Sequence, residues 1–388
     1  MFSLSPTLDI SDALINLNKL INSGIDVKHF RSAVHRLENR FNIYAATCPA
    51  PFIAPDLIVT PEIRRQSELY LPIAEISRIF NHLYRQALTY PPILSSTPFH
   101  RAVSWANVFV SLPLRLQFSN NPAHLLEVLL SDKDLLHEFL FASFLPRRFY
   151  GGFGRYPGQT TFILKWLATR RGSGNNKLRC LDAACGTGED SYGLVNLLME
   201  SGFVAKEIEV EGWTLEPLEV WVAAHLRFPY DQKCEAAFRR ETSSLFELGY
   251  QSCVRFRCVD LTKIRLNPHD FPPPLQGMCA NLNNNALDIP PPFQGEGRGG
   301  DGVDRVNQFD IILCNGLLGG PIINEDLQLE QVVKNLASFL AQGGILLAAD
   351  SFHGGWKLKC RNADLKALFL KMGMKSFDAG EGVGGLKL

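Results

Sequence analysis

Residues 181–189 read LDAACGTGE, and this stretch decides the fold. A short apolar run precedes it and a helical pattern follows, so a buried strand is predicted to end near Asp182 and to turn tightly into a helix. Glycines let a backbone approach a ligand closely, and the free N–H groups at a helix start favour negative groups. Ligands of such sheets lie beyond the carboxyl ends of the strands, where the strand order reverses. The stretch therefore predicts an α/β fold with a ligand-binding loop.

The same stretch argues against a nicotinamide dinucleotide as the ligand. The dinucleotide fingerprint needs a third glycine, and position 191 is a serine. The acid at the strand end, Asp182, would also repel a pyrophosphate that it faced. A ligand with positive charge fits this loop better, and a structural turn without any ligand is the alternative interpretation.

Short apolar runs alternate with helical patterns from Lys177 onward, which is typical of a parallel sheet covered by helices. The predicted strands are residues 178–183, 208–214, 254–259, 309–313 and 345–349. The predicted helices are residues 191–199, 218–226, 327–340 and 364–372, and the last of them leaves little chain for closing strands. A segment rich in Pro, Asn and Gly at about 265–305 is predicted to be a disordered insertion, because such a composition cannot bury enough apolar surface.

The first 150 residues carry helical patterning instead. Ser11 is the predicted cap of a first helix, and Thr60 followed by Pro61 is the predicted start of another that runs on through Leu83. A further stretch, from 122 to about 144, has apolar residues at helical spacing. Nothing in this region alternates convincingly with the period of a strand. We therefore expect an α-helical domain over residues 1–150 and a ligand-binding α/β domain over residues 151–388.

The composition argues against several classes of partner. The 388 residues include 39 Lys and Arg against 39 Asp and Glu, and this zero net charge argues against bulk electrostatic binding to nucleic acid. No apolar run approaches the ~18 residues that a membrane span needs, and residues 1–6 lack a secretory pattern. The nine cysteines and nine histidines are scattered without metal-ligand spacing. We expect a cytoplasmic protein without a bound metal.

Several motifs occur in the order that one enzyme family shows: residues 183–192 (AACGTGEDSY), 309–315 (FDIILCN) and 343–347 (GGILL). Together they resemble class I S-adenosylmethionine-dependent methyltransferases over about residues 145–355. The first motif is similar to the signature Ala-Ala-Cys-x-x-Gly-Glu-Glu-x-Tyr of the chemotaxis-receptor (CheR-type) methyltransferases. The resemblance implies a Rossmann-like class I methyltransferase sheet preceded by an α-helical domain. It also implies S-adenosylmethionine as the cofactor and a glutamate carboxylate of a protein as the methyl acceptor.

Cofactor contacts follow from this resemblance, position by position. The loop from Asp182 to Glu189 would hold the methionine portion and the sulfonium. Thr214 stands where the family has an acid for the ribose hydroxyls, so the nearest acid, Glu216, is the candidate for that role. From the residues alone, Glu216 could equally be the exposed first turn of a helix.

The remaining contacts come from three other parts of the chain. Asp260 and Leu261 would meet the adenine, although a plain turn or helix cap is the alternative for Asp260. Asn315 would lie near the methyl group and the acceptor, and Arg155 would meet the cofactor carboxylate. The full predicted set is Arg155, Asp182, Ala184, Gly186, Gly188, Glu189, Glu216, Asp260, Leu261 and Asn315.

The implied chemistry needs little from side chains. Methyl transfer from a sulfonium is an in-line displacement, so positioning supplies much of the catalysis. A carboxylate acceptor has a reference pKa near ~4 and needs no general base at neutral pH, and no catalytic residue is predicted. The family pattern Cys-Arg-Asn is broken at Cys314-Asn315-Gly316. With Thr214, this break supports a second hypothesis, a non-catalytic binding module that retains the fold.

Overall fold

The computed structural model describes residues 2–22, 24–48, 58–145, 152–170, 177–264, 308–320, 323, 325–349 and 360–388. The insertion predicted at about 265–305 lies outside the described residues. Residues 146–151, at the predicted domain boundary, also lie outside the described residues.

Helices and strands are numbered along the described chain. The helices are α1 Ile10–Leu20, α2 Arg31–Thr47, α3 Pro61–Tyr70, α4 Ile73–Ala87, α5 Pro98–Arg101, α6 Trp105–Ser111, α7 Pro122–Ser131, α8 Lys133–Phe144, α9 Pro157–Arg170, α10 Glu189–Glu200, α11 Pro217–His225, α12 Gln232–Glu247, α13 Asp326–Phe339 and α14 Asn362–Lys371. The strands are β1 Ser3–Leu4, β2 Leu178–Asp182, β3 Ile208–Thr214, β4 Val254–Cys258, β5 Phe309–Leu313, β6 Leu340–Ala349, β7 Met374–Ala379 and β8 Gly382–Lys387.

One mixed sheet of eight strands forms the centre of the molecule, in the order β1-β4-β3-β2-β5-β6-β8-β7. Strands β4, β3, β2, β5 and β6 are parallel to their neighbours in that row. Strand β8 runs antiparallel to both β6 and β7, and β1 runs antiparallel to β4. Five parallel strands followed by an antiparallel hairpin confirm the expected Rossmann-like class I methyltransferase sheet.

Successive side chains along each strand point to opposite faces of the sheet. Helices cover both faces, so both sets of side chains are buried. Cys180 and Ile311 pack into one apolar core with the amino-terminal helices and α10 to α12. Their neighbours Leu181 and Ile312 pack into a second core with α13 and α14. Such two-sided burial explains why the parallel strands read as short continuous apolar runs instead of alternating patterns.

The amino-terminal helices share the first of these cores, and polar contacts fix them to α11. The Thr7 amide donates to the Ala224 carbonyl at 2.9 Å, and the Trp221 indole donates to the Ala13 carbonyl at 2.9 Å. The predicted helical region also supplies β1, which we did not expect from its pattern. With two residues, β1 is too short to show alternation, and it exists by pairing with β4 at the sheet edge.

Three helix boundaries in the first 150 residues differ from the sequence predictions. Asp9, and not Ser11, caps α1, since its carboxylate accepts from the Ser11 and Asp12 amides at 2.6 and 3.2 Å. Thr60 does cap α3, but the helix stops before Pro72, whose ring and missing N–H end a helix. The stretch 122–144 is two helices, because Asp132 ends α7 and caps α8.

The expectation that little chain remains for closing strands was wrong, since the hairpin of β7 and β8 completes the sheet after α14. Residues 382–387 read GVGGLK, and glycine disfavours strands, which hid β8. The glycines are required by packing. A Cβ on Gly384 would lie 2.2 Å from Cε2 of Phe377 and 3.0 Å from Cδ2 of Leu347.

We expect Gly384→Ala to lower the free energy of unfolding by about 2 kcal/mol, because overpacking a well-filled core typically costs about 1–3 kcal/mol. Gly193→Ala is the matched control. Gly193 lies within α10, a Cβ there would meet nothing within 4 Å, and alanine is favoured over glycine in a helix by about 1 kcal/mol. Urea unfolding followed by circular dichroism should show opposite shifts for the two variants. Equal midpoints would contradict the tight packing at Gly384.

Candidate functional site

The carboxyl ends of the parallel strands meet at one edge of the sheet, at Asp182, Thr214, Cys258 and Leu313. The chain runs from β2 to β3 and β4 on one side, and then places β5 on the other side of β2. The strand order therefore reverses beside β2, which is where α/β sheets bind ligands. The loop from Ala183 to Gly188 starts at this point.

This loop is a tight turn with two left-handed glycines. Gly186 has φ 51° and Gly188 has φ 96°, a region that other residues rarely adopt. A Cβ on Gly188 would lie 3.1 Å from Cζ of Phe256, whereas a Cβ on Gly186 would meet nothing within 4 Å. Gly188 is thus needed for packing, and Gly186 borders open space. Ala184, also in the predicted set, lies half-buried in the same turn.

Asp182 is buried at the end of β2, with 1% of its surface exposed. Its Oδ2 accepts from the Ser191 hydroxyl at 2.7 Å. No hydrogen-bond partner for its Oδ1 is found among the described residues. Burial, together with the nearby charge of Asp190, raises the pKa of Asp182 to about 7, although the Ser191 hydroxyl, the Arg155 charge and the Ala184 amide each lower it. A buried carboxylate oxygen without a partner is costly, so this atom indicates a place for a donor or a cation.

Glu189 begins α10 and is also buried. Its Oε2 accepts from the Thr187 hydroxyl at 2.8 Å. Burial raises the pKa of Glu189, and the neighbouring charge of Asp190 adds to this. A carboxylate in the first turn is favoured by the helix dipole, so α10 tolerates both acids at its start.

Glu216 caps α11 and is buried, so the alternative of an exposed helical turn was wrong. Its Oε1 accepts from the Leu218 amide at 3.2 Å and from the Tyr90 hydroxyl. Burial raises the pKa of Glu216 to about 8. The helical region thereby reaches the site through Tyr90.

Glu219 is an acid of this site that the sequence analysis missed. It lies in the first turn of α11 and accepts from the Thr214 hydroxyl, at the position where the family resemblance expected an acid. Burial raises the pKa of Glu219 to about 7, and the charge of Glu189 contributes. The spacing of three residues from Glu216 was the available signal, since such pairs lie on one face of a helix.

Arg155 and Asn315 meet at Asp190. The Oδ2 of Asp190 accepts from Arg155 Nη2 at 3.1 Å and from Asn315 Nδ2 at 3.1 Å. Burial lowers the pKa of Arg155, but the charges of Asp190 and other nearby acids outweigh this and leave it raised. Asn315 also pairs with Gln159 and with the Ala349 amide, so its side chain is held entirely by protein groups.

Asp260 and Leu261 lie after β4, apart from these contacts. Asp260 accepts from the Thr262 amide and hydroxyl at 3.0 and 2.6 Å, and it forms an ion pair of 2.9 Å with Lys263. Burial would raise its pKa, but these bonds lower it. Leu261 is buried, and its carbonyl accepts from Asn335 Nδ2 at 2.6 Å. Asp260 thus has the local turn bonds of the alternative interpretation, and its contact with adenine stays a prediction.

Neither a metal-ligand cluster nor a membrane-spanning helix occurs in the part of the chain that the structure describes. No group of three or more His, Cys, Asp and Glu side chains there has the arrangement of a metal site. Among the helices that the structure describes, none is long and apolar enough to cross a membrane.

Comparison with known sequences identifies no relative: no family model matches, and no curated protein matches.

Solved structures show weak similarity. A TehB-like methyltransferase from Corynebacterium glutamicum is 13% identical with a TM-score of 0.30, over 59% of this chain and 85% of its own. The N-methyltransferase NodS from Bradyrhizobium japonicum, bound to S-adenosylhomocysteine, is 12% identical with a TM-score of 0.32, over 60% and 89%. The rRNA methyltransferase AviRa from Streptomyces viridochromogenes is 14% identical with a TM-score of 0.31, over 61% and 87%.

Similarity at this level does not identify a ligand or a reaction, so the strand order carries the assignment. Five parallel strands with a reversal beside β2, closed by an antiparallel β8 next to β6, form this sheet. The chain therefore has the Rossmann-like fold of class I methyltransferases.

Proposed function

We propose that this chain is an S-adenosylmethionine-dependent methyltransferase, with the cofactor bound at the loop between β2 and α10. The observation that carries the proposal is the Oδ1 atom of Asp182, which is buried without a partner among the described residues. It lies at the start of the loop in which Gly186 borders open space. A ligand that enters there can satisfy this oxygen and approach the backbone closely.

The charges around the loop suit a cationic ligand. Neighbouring negative charge raises the pKa of four carboxyl groups here: Asp190 raises that of Asp182 and of Glu189, Glu189 raises that of Glu219, and Glu219 raises that of Glu216. Among the described residues, Arg155 forms an ion pair with one of these acids, Asp190. Such an excess of acids favours a sulfonium and an ammonium over a phosphate.

When bound, S-adenosylmethionine supplies an activated methyl group on sulfur. The chain's own residues would hold the ligand in place and exclude water. Gly186 would let the loop backbone approach the methionine portion, and Asp182 would accept hydrogen bonds from it. Glu216 and Glu219, at the start of α11 just after β3, would accept from the ribose hydroxyls. Arg155 would pair with the ligand carboxylate, since a guanidinium matches a carboxylate in shape and charge.

We further propose that the acceptor is a carboxylate, with a protein glutamate side chain as the first candidate. The support is the signature-like run at residues 183–192 and a reaction that needs no general base. A carboxylate is already a nucleophile at neutral pH, so placing it in line with the methyl group is the main requirement.

A non-catalytic binding module is the second candidate, and Asn315 favours it. Both hydrogens and both acceptor positions of its amide are used by Gln159, Asp190 and the Ala349 amide. An amide so occupied cannot also bind an acceptor. The two candidates share the cofactor site and differ only in whether a methyl group is transferred.

Cofactor binding is tested by closing the open space at the loop. We expect Gly186→Val to weaken S-adenosylmethionine binding at least about tenfold, because the added side chain occupies space that the ligand needs. Gly249→Val is the matched control. Gly249 has φ 80°, a Cβ there would also meet nothing within 4 Å, and it precedes β4 at the opposite edge of the sheet. Both variants should lose about 1–2 kcal/mol of stability from backbone strain.

Isothermal titration calorimetry gives the affinities for this comparison. Only Gly186→Val should lose affinity. No heat with the unsubstituted protein at millimolar ligand would refute the proposed function. Equal losses in both variants would refute the placement of the cofactor at the loop.

The affinity for S-adenosylmethionine should rise about tenfold from pH 6 to pH 8. The pKa values of Asp182, Glu219 and Glu216 are about 7, 7 and 8. A cation binds the ionised carboxylates, so its binding releases protons and is favoured as the pH rises through this window. S-adenosylhomocysteine, whose thioether is uncharged, should gain less. Asp182→Asn should flatten the profile, and parallel profiles for the two ligands would count against the sulfonium beside these acids.

The acceptor class is tested by transfer of tritiated methyl groups to proteins of a cell lysate. A methyl ester of a carboxylate is hydrolysed by mild base, so we expect most of the label to become volatile at high pH. Base-stable label would contradict a carboxylate acceptor and would indicate a nitrogen or carbon acceptor instead. Cofactor binding without any label would favour the non-catalytic module.

A further inference from the structure

The start of helix α9 is anchored by the turn between β7 and β8. The Glu381 carboxylate, in the turn between β7 and β8, accepts from the Gly158 amide at 2.8 Å and from the Gln159 amide at 3.1 Å. It thus satisfies two of the free N–H groups at the helix start. A Cβ on Gly158 would lie 2.7 Å from Cα of Gly380, so the two backbones are in close contact. These contacts fix the backbone of Gln159 independently of its side chain.

The Gln159 side chain forms a reciprocal amide pair with Asn315. Gln159 Nε2 donates to Asn315 Oδ1 at 3.0 Å, and Asn315 Nδ2 donates to Gln159 Oε1 at 3.1 Å. Both side chains are buried, with 3% and 7% of their surface exposed. Two hydrogen bonds in opposite directions fix the plane of the Asn315 amide and decide which end carries its nitrogen.

With that plane fixed, the second hydrogen on Asn315 Nδ2 points at Asp190. It binds Oδ2 at 3.1 Å, the same oxygen that accepts from Arg155 Nη2. The Ala349 amide, at the end of β6, donates a second hydrogen bond to Asn315 Oδ1 at 3.0 Å. One oxygen of Asp190 therefore joins the Arg155 guanidinium to an amide whose orientation Gln159 sets.

We infer that Gln159 is a positioning residue for ligand binding. It acts through Asn315 and Asp190 to hold the Arg155 guanidinium where a ligand carboxylate binds. This inference rests on the proposed function, since it takes Arg155 as the partner of the cofactor carboxylate. It goes beyond that function in giving α9 and the β7–β8 turn a role in recognising the amino-acid end of the ligand.

The inference separates two parts of one ligand. S-adenosylhomocysteine carries both adenosine and the amino acid, whereas 5′-methylthioadenosine carries adenosine and a thioether without the amino acid. If the Gln159 amide is lost, the contact between Arg155 and the ligand carboxylate should weaken. Only S-adenosylhomocysteine has that carboxylate, so only its binding should weaken. A purely structural role for Gln159 would weaken both, because it would disturb the whole pocket.

The experiment is calorimetric titration of both ligands into Gln159→Leu, which keeps the approximate shape of the side chain and removes its amide. We expect binding of S-adenosylhomocysteine to weaken about tenfold, near the upper end of the effect of one lost hydrogen bond between neutral groups, while binding of 5′-methylthioadenosine changes less than twofold. Gln159→Asn, one methylene shorter, should give the same difference if the leucine variant does not fold. Gln117→Leu is the matched control, a buried glutamine that donates to the Leu112 carbonyl in the helical region.

A double-mutant cycle tests the route through Arg155. In an Arg155→Gln background, Gln159→Leu should no longer change the affinity for S-adenosylhomocysteine, because its effect passes through the missing guanidinium. An equal loss for both ligands, an undiminished effect without Arg155, or no change in Gln159→Leu would each overturn the inference. If the unsubstituted protein binds neither ligand, the proposed function fails as well.

Discussion

The burial of a carboxylate at the carboxyl end of β2 is the constraint to which the surrounding residues respond. Asp182 is 1% exposed, and an ionised carboxylate in such a place is costly unless hydrogen bonds or opposite charge compensate. Ser191 reaches it from the first turn of α10. This approach requires a glycine on the neighbouring strand, since a Cβ on Gly212 would lie 2.9 Å from the Ser191 hydroxyl. A single buried group thus explains a serine in α10, and this serine, together with the Phe256 ring, explains a glycine inside β3.

The acids on α11 extend the same arrangement to the next strand. Glu216 and Glu219 lie at the start of this helix, where negative charge is favoured, and each accepts from a hydroxyl group. One hydroxyl belongs to Thr214 of β3 and the other to Tyr90 of the helical region. Helix α11 also carries Trp221, which donates a hydrogen bond to α1. The helical region therefore packs against the helix that carries both acids. Its apolar stripes form the core, Tyr90 connects that core to Glu216, and Ala13 bonds to Trp221 of the helix that carries both acids.

Much of this arrangement could be predicted from the sequence, and the physical reason is locality. The loop at residues 183–188, its preceding strand and its following helix are specified by neighbours in the chain, so glycine, apolar and acidic residues at close spacing were sufficient. Glu219 was missed because the sequence analysis noted only that Thr214 replaces an acid, and not that its hydroxyl could bind one. The hairpin of β7 and β8 was missed because its glycines are required by Phe377 and Leu347, contacts that no local pattern records.

The contact between Glu381 and Gly158 also has a kinetic consequence. The two residues are 223 positions apart in the chain. Contacts of such long range form late in folding, because the entropy of closing the intervening loop must be overcome first. The start of α9 is therefore capped only after the sheet has brought its antiparallel hairpin into place. Until then the Gln159–Asn315 pair lacks a fixed helix, so we expect this pair to form after the local turn between β2 and α10.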